Sequence, residues 1–174
     1  MEYRDLYDEN KVKTGEIIKK GDLVPNGRYY LTVVIWIENS KGDLLIQKRV
    51  PEKHHMWATT GGHPKSGESS LDGMVTEIKE ELGINVDSKE LKLFKTIKTE
   101  DDFVDLYYLR KNIDIKNVVV QKEEVEDIKW VTKKEMDVMI KKGIFLPPHV
   151  EFYKYLLEFK KTMWYRRYYD SRKY

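Results

Sequence analysis

The chain has 174 residues, 40% hydrophobic and 36% charged, which suits a single globular domain with a full core. Its 32 basic and 30 acidic residues leave a formal net charge of +2, which does not support a nucleic-acid footprint. The absence of cysteine excludes disulfides and thiol chemistry, and no apolar run reaches the roughly 18–20 residues of a membrane helix. We therefore expect one soluble, cytoplasmic domain over residues 1–174, without a nucleic-acid or membrane partner.

The first third of the chain predicts β-structure. Residues 2–18 alternate apolar and polar side chains on either side of Asp8-Glu9-Asn10, a pattern typical of a β-hairpin. We expect this hairpin to form an N-terminal extension over residues 1–28. Three further strands are expected after it, at 29–38, 43–49 and 57–60.

The segment from Gly62 to Ile84 predicts a glycine-rich loop followed by a helix. Apolar residues recur there at spacings of three and four, which places them on one buried stripe of the helix: Leu71, Met74, Val75, Ile78 and Leu82. Ser69 and Asp72 form a capping-box pattern at the start of this helix, and Gly83 ends it.

Three glutamates form a second patch on the predicted helix. Glu77, Glu80 and Glu81 are spaced so that their carboxylates share one face, where like charges repel unless something neutralises them. Mg²⁺ binds carboxylate oxygens and bridges to phosphates, so a divalent cation suits this patch. Residues 61–67 hold three glycines and a proline, which lets the backbone approach a ligand closely. The alternative is a solvated acidic face.

The rest of the chain predicts three strands and two helices. The strands are expected at 91–99, 103–110 and 126–131, and the helices at 132–142 and 151–168. We assign residues 149–174 to a C-terminal helix and tail. Strands on either side of a central helix, with a long helix at the end, favour an α+β fold with a mixed sheet between helical layers.

The central segment resembles the signature of the Nudix superfamily, hydrolases of nucleoside diphosphates linked to another moiety. The resemblance rests on Gly62, Glu68 and the run from Thr76 to Ile84, TEIKEELGI. One defined position departs from the signature, because Thr76 stands where the family has arginine. The resemblance implies an α/β/α sandwich and hydrolysis of a small-molecule diphosphate with Mg²⁺ or Mn²⁺.

The resemblance also implies roles for named residues. It assigns metal binding to four positions: Gly61, through its carbonyl, Glu77, Glu80 and Glu81. It makes Gly62, Glu68 and Gly83 structural. The general base is Glu77 or a glutamate of a later loop, for which the candidates here are Glu123 and Glu124, with Asp105 behind them.

Four residues are candidates for substrate binding. Arg49 and Lys65 carry cations that offset pyrophosphate charge, although ordinary surface cations are the alternative. His63 lies in the glycine loop, where it binds phosphate or metal, or is an ordinary hydrogen-bonded loop residue. Asp105 interrupts an apolar strand, so it faces solvent or has a cationic partner.

The segment from Trp57 to Pro64, with Gly67-Glu68, resembles type I isopentenyl-diphosphate isomerases, a branch of the same superfamily. In that branch a cysteine near this loop is the acid–base residue, and here its place falls on Gly61. Tyr29-Tyr30 stands where a metal-binding histidine is expected. The chain thus predicts a hydrolase with an isomerase-like N-terminal extension.

Three functions follow from the sequence, in this order. The first is a metal-dependent diphosphate hydrolase, and the second is a nucleotide-binding regulatory module without turnover, which Thr76 motivates. The third is an isomerase-like enzyme. The oligomeric state stays open between a monomer and a homodimer.

Overall fold

A computed structural model describes residues 2–170, except for the side chains of residues 164–170. It contains nine strands: β1 (Tyr3–Tyr7), β2 (Lys13–Lys19), β3 (Tyr30–Glu38), β4 (Leu44–Arg49), β5 (Trp57–Ala58), β6 (Gly61–Gly62), β7 (Lys92–Lys98), β8 (Asp102–Arg110) and β9 (Val125–Val131). Its α-helices are α1 (Ser70–Leu82), α2 (Lys133–Lys141) and α3 (Pro147–Asp170).

The central sheet has seven strands and is mixed, as the sequence predicts. Its main path runs β5-β4-β3-β8-β7, with β6 added to β3 and β9 to β4. Strands β3 and β8 are parallel along nine residue pairs, and the other pairings are antiparallel. Since β3 lies at the middle of this sheet and is buried on both faces, its sequence is an almost unbroken apolar run.

Helices cover both faces of the sheet. Met74, Ile78 and Leu82 of α1 pack in one core cluster with odd-numbered residues of β3, such as Val33. Even-numbered residues of β3, such as Trp36, pack in the other cluster with α2 and α3. Side chains alternate between the faces of a strand, so one apolar strand supplies both cores. This arrangement confirms the predicted α/β/α sandwich.

Helix α1 begins and ends where the sequence predicts. Ser69 Oγ accepts a hydrogen bond from the Asp72 backbone N–H at 3.1 Å, and the Asp72 carboxylate accepts one from the Ser69 N–H. Gly83 follows the helix with φ of 64°, a left-handed conformation that glycine adopts without strain. These caps fix the helix in register with the loop before it.

The N-terminal hairpin is confirmed as strands β1 and β2, a separate two-stranded antiparallel sheet. Tyr7 and Tyr29 exchange two backbone hydrogen bonds, of 2.7 and 3.0 Å, which join this hairpin to the start of β3. These bonds attach the hairpin directly to the central sheet at the start of β3.

The closing helix begins four residues before its predicted start. Pro147 and Pro148 occupy its first positions, where the missing N–H has no intrahelical partner in any residue type. The expected tail at 171–174 and the side chains of 164–170 lie outside the described part of the chain. No helix within the described residues has the length and apolarity that a membrane crossing requires.

Candidate active site

A polar cavity of about 300 Å³ lies between α1, the sheet and the N-terminal hairpin. Its lining comes from segments far apart in the sequence, because the strand order brings β3, β4 and β6 beside helix α1. All three predicted metal-binding glutamates face this cavity, together with Gly61. The structure therefore brings the four predicted metal ligands to one place.

Glu77 is the most strongly perturbed of these carboxyls. Burial, and then the charges of Glu81 and Glu80, raise its pKa to about 8, against a weaker opposing hydrogen bond from the His63 backbone N–H. Its carboxyl group lies directly over Gly62, where a Cβ atom would overlap its oxygens. Glycine at this position leaves room for the Glu77 carboxylate. This explains physically why the motif has glycine at position 62.

Glu81 is held by a chain of polar side chains that the sequence patterns did not reveal. Gln47 Nε2 donates to Glu81 Oε2 at 2.9 Å, and Thr60 Oγ1 donates to Gln47 Oε1 at 2.8 Å. Burial raises the pKa of Glu81 to about 7, the Gln47 hydrogen bond opposes that rise, and the charge of Glu124 adds to it. Gln47 thus orients a carboxyl on α1 from strand β4.

Glu80 differs from its two neighbours because it is exposed. Its side chain is 44% accessible and forms an ion pair with Lys65. Lys65 also lines the cavity, and its ammonium group is directed at Glu80. A cation or phosphate that enters competes with this pair.

Of the two candidate loop bases, Glu124 lines the cavity and Glu123 is exposed outside it. The Glu124 carboxylate forms an ion pair with Lys53, a residue at the end of a short 3-10 helix. Sequence spacing gave no means of choosing between two adjacent glutamates. Of the two, only Glu124 lies at the cavity.

Arg49 and His63 line the same cavity. Burial, followed by the charges of Arg4 and Lys20, lowers the pKa of His63 to about 3, so the imidazole is neutral at physiological pH. A second histidine, His149, was missed by the sequence patterns. It also lines the cavity, and its Nδ1 accepts a hydrogen bond from the Thr59 N–H at 3.2 Å.

Asp105 does not reach the cavity, so the structure does not bring it together with the other expected substrate-binding residues. Its side chain is fully buried beneath the hairpin. Lys11 Nζ, Ser70 Oγ and Thr96 Oγ1 all donate to its carboxylate at 2.5 Å. Lys11 is the cationic partner that this buried carboxylate requires. Asp105 therefore joins the hairpin turn, helix α1 and strand β7 to β8.

Glu68 and Gly83 have the structural positions that the sequence predicts. Glu68 accepts hydrogen bonds from the Lys65 N–H and from Thr76 Oγ1, both at 2.8 Å, and does not line the cavity. Gly83 ends α1. Thr76, the departure from the motif, thus holds Glu68.

The carboxyl groups of the cavity have the chemistry of a site for a divalent cation. Among the described residues, no three His, Asp or Glu side chains are close enough together to hold a metal ion without rearrangement. Burial nevertheless raises the pKa of both Glu77 and Glu81, and neighbouring carboxylates raise it further, Glu81 and Glu80 for Glu77 and Glu124 for Glu81. A bound cation would relieve this repulsion. Hard oxygen donors of this kind suit Mg²⁺ or Mn²⁺.

The family model and the similar proteins both place this chain among Nudix proteins. The NUDIX domain family model matches residues 28–156. An uncharacterized Nudix hydrolase of Listeria monocytogenes is 34% identical over 151 residues, 84% of this chain and 89% of that protein. An isopentenyl-diphosphate Delta-isomerase of Pectobacterium atrosepticum is 34% identical over 83 residues, 45% of this chain and 46% of that protein.

The fold has close counterparts among solved structures. A Deinococcus radiodurans protein, DR0079, superposes with a TM-score of 0.68 at 24% identity, over 83% of this chain and 91% of that one. The Nudix domain of Shewanella oneidensis NrtR, solved with ADP-ribose, superposes with a TM-score of 0.60 at 16% identity, over 75% and 87% of the chains.

Proposed function

Because the chain belongs to the Nudix hydrolase family, we propose that it cleaves a diphosphate bond in a nucleoside diphosphate linked to another moiety, using Mg²⁺ or Mn²⁺. One observation carries the proposal: a glycine loop and three carboxyls of α1 share a polar cavity with cationic side chains. A cytoplasmic location and a single domain over residues 1–174 belong to the same proposal.

The metal would be held by Glu77, Glu80, Glu81 and the carbonyl of Gly61. When bound, it would offset the phosphate charges and lower the pKa of a coordinated water. Glu80 must leave Lys65 to take part, which frees the ammonium group for a phosphate oxygen. Metal binding by Glu80 and phosphate binding by Lys65 therefore depend on each other.

Cleavage adds the oxygen of a water to one phosphorus, breaks the anhydride P–O bond, and needs a base for the proton of the water. We propose Glu77 or Glu124 for that base. With a pKa of about 8, Glu77 keeps its proton at neutral pH unless positive charge enters the cavity. Glu124 lies close enough to Glu81 to raise its pKa, so it belongs to the same electrostatic cluster.

Arg49, His63 and Lys65 would bind the substrate. The guanidinium of Arg49 suits two oxygens of one phosphate, and the neutral imidazole of His63 offers one N–H without adding charge. Since several cations line the cavity beside the carboxyls, it suits a metal and a polyanion together.

A second candidate is a regulatory module that binds a nucleotide without cleaving it. Thr76 favours this alternative, because a hydroxyl replaces the charged hydrogen bond that arginine gives in the family. The NrtR domain solved with ADP-ribose has the same fold. Tight binding with no product after prolonged incubation with metal would favour the module.

An isomerase-like activity ranks third, because Gly61 occupies the place of the cysteine. The partial similarity to an isopentenyl-diphosphate isomerase keeps this alternative open to a direct assay. Turnover of isopentenyl diphosphate would overturn the ranking.

The test is a panel of nucleoside triphosphates, nucleotide sugars, dinucleotides and isopentenyl diphosphate. Each is incubated with the protein and Mg²⁺ or Mn²⁺, and products are separated by chromatography. A nucleoside monophosphate from one class supports hydrolysis and identifies the substrate class. If no product forms from any compound of the panel, the hydrolase proposal is contradicted for these substrates and the binding module is favoured.

A further inference from the structure

The N-terminal hairpin is bound directly to the glycine-rich loop of the cavity. The Ser66 N–H donates to the Tyr3 carbonyl at 2.8 Å. Asp5 accepts from Ser66 Oγ at 2.6 Å and from the Gly67 N–H at 3.1 Å. Three hydrogen bonds donated by the loop to β1 thus fix the hairpin against the loop.

The turn of the hairpin is attached at a second place. Lys11 reaches the buried carboxylate of Asp105 at 2.5 Å, and Lys13 Nζ donates to the Glu68 carbonyl at 2.9 Å. The hairpin is therefore held at both its strand and its turn. The hairpin residues that line the cavity are therefore held in place relative to the loop.

Arg4, on β1 of the hairpin, lines the cavity, where its charge helps to lower the pKa of Glu2 without forming an ion pair with it. Its Nε is buried, and no acceptor lies within hydrogen-bonding distance of it among the described residues. Its guanidinium lies 5.7 Å from the ring centre of Tyr30, which in turn packs against His63 with ring centres 5.0 Å apart. A buried donor without an acceptor is rare and unfavourable, which points to an anionic ligand.

The lysines of the cavity show the contrast, whereas Arg49, like Arg4, forms no ion pair with any described residue. Lys20, on the same hairpin, is paired with Glu2 at 2.9 Å, while Lys53 and Lys65 are paired with Glu124 and Glu80. Arg4 makes no ion pair with any described residue. It therefore remains available for a phosphate.

The lining of the cavity indicates which part of a substrate Arg4 meets. No phenylalanine, tyrosine or tryptophan is among the described residues that line it, so it offers no broad aromatic face for a base. A guanidinium pairs with two oxygens of a phosphate, and a terminal phosphoryl group has one more unesterified oxygen and more charge than a capped one.

We propose that Arg4 binds the free terminal phosphoryl group of the substrate, and so selects diphosphates that end in such a group over diphosphates capped at both ends. The inference rests on the proposed function, because it takes the carboxyls of α1 to hold the reacting phosphates. It assigns the hairpin extension a role in specificity.

The experiment measures binding of inorganic diphosphate by calorimetry in the presence of Mg²⁺, for the wild type, Arg4→Gln and Arg28→Gln. Arg28 is the matched control, because it lies between the hairpin and β3, is paired with Glu16 at 2.5 Å and is absent from the cavity lining. Arg4→Gln should weaken binding about tenfold or more. Arg28→Gln should leave it unchanged, and thermal unfolding checks that both variants fold.

Binding of ADP-ribose, a diphosphate capped at both ends, should change less than twofold in Arg4→Gln. Wild-type affinity of Arg4→Gln for inorganic diphosphate, or no binding by the wild type, overturns the inference. Arg4-dependent binding without turnover of any substrate would support the inference and contradict the hydrolase proposal. Turnover of a substrate, together with diphosphate binding that does not depend on Arg4, would support the hydrolase proposal and contradict the inference about Arg4.

Discussion

Thr76 Oγ1 on helix α1 donates a hydrogen bond of 2.8 Å to Glu68 Oε1 in the preceding loop. The second oxygen of Glu68 accepts from the Lys65 N–H, so one carboxylate joins the helix to both ends of this turn. The loop holds Gly62, His63 and Lys65, which all line the cavity. The residue that departs from the family motif therefore still stabilises the site.

Thr76→Val should loosen that loop, because the substitution removes the hydroxyl and keeps the shape of the side chain. We expect about 1 kcal/mol less unfolding free energy and a several-fold fall in turnover. Urea unfolding and a hydrolysis assay measure the two effects. Thr76→Ser retains the hydroxyl and should behave nearly as the wild type; equal effects of Val and Ser would show that this hydrogen bond has no part in them.

Asp105→Asn should destabilise the protein without changing substrate affinity. The change leaves Lys11 without its anionic partner, and we expect a loss of about 3 kcal/mol in unfolding free energy because the carboxylate is fully buried. KM should stay within twofold of the wild type. A large rise in KM with little loss of stability would restore Asp105 as a substrate-binding residue.

The metal-free protein should lose stability as pH rises from about 5 to about 8. Glu77 has a pKa of about 8 in the folded state and an ordinary value of 4.5, so between these values the folded state binds the extra proton. Rising pH then favours the unfolded state. Glu77→Gln should match the wild type near pH 5 and exceed its unfolding free energy by about 1 kcal/mol or more at pH 8.

Urea unfolding in EDTA at the two pH values tests this expectation. Mg²⁺ should stabilise the wild type more at pH 8 than at pH 6, because the carboxylates must be ionised to bind it. Parallel pH curves for wild type and Glu77→Gln would contradict the assigned pKa shift.

The sequence predicted the parts of the fold that repeat along one element. The apolar stripe of α1 and the alternation in the hairpin depend on neighbours close in sequence, and both were confirmed. The spacing that put Glu77, Glu80 and Glu81 on one helix face also placed them in one cavity. Local periodicity was sufficient for these features.

The contacts between elements could not be predicted in this way. Gln47 meets Glu81 only because β4 lies next to β3 in the sheet, and Arg4 reaches the cavity only because the hairpin is bound to the loop. The sequence indicated that Asp105 faces solvent or has a cationic partner, but nothing near it in sequence identified that partner as Lys11. Such pairings depend on topology that residue spacing does not contain.

The most direct test compares hydrolysis by the wild type, Glu80→Gln, Glu81→Gln and Glu151→Gln, with Mg²⁺ and with EDTA. Glu151 is an exposed residue of α3, paired with Lys154 and outside the cavity, so it serves as the control. We predict a loss of about 10²-fold or more in both α1 variants and in EDTA, with unchanged thermal unfolding and a fully active control. Full activity of both α1 variants would contradict the metal site and, with it, the proposed mechanism.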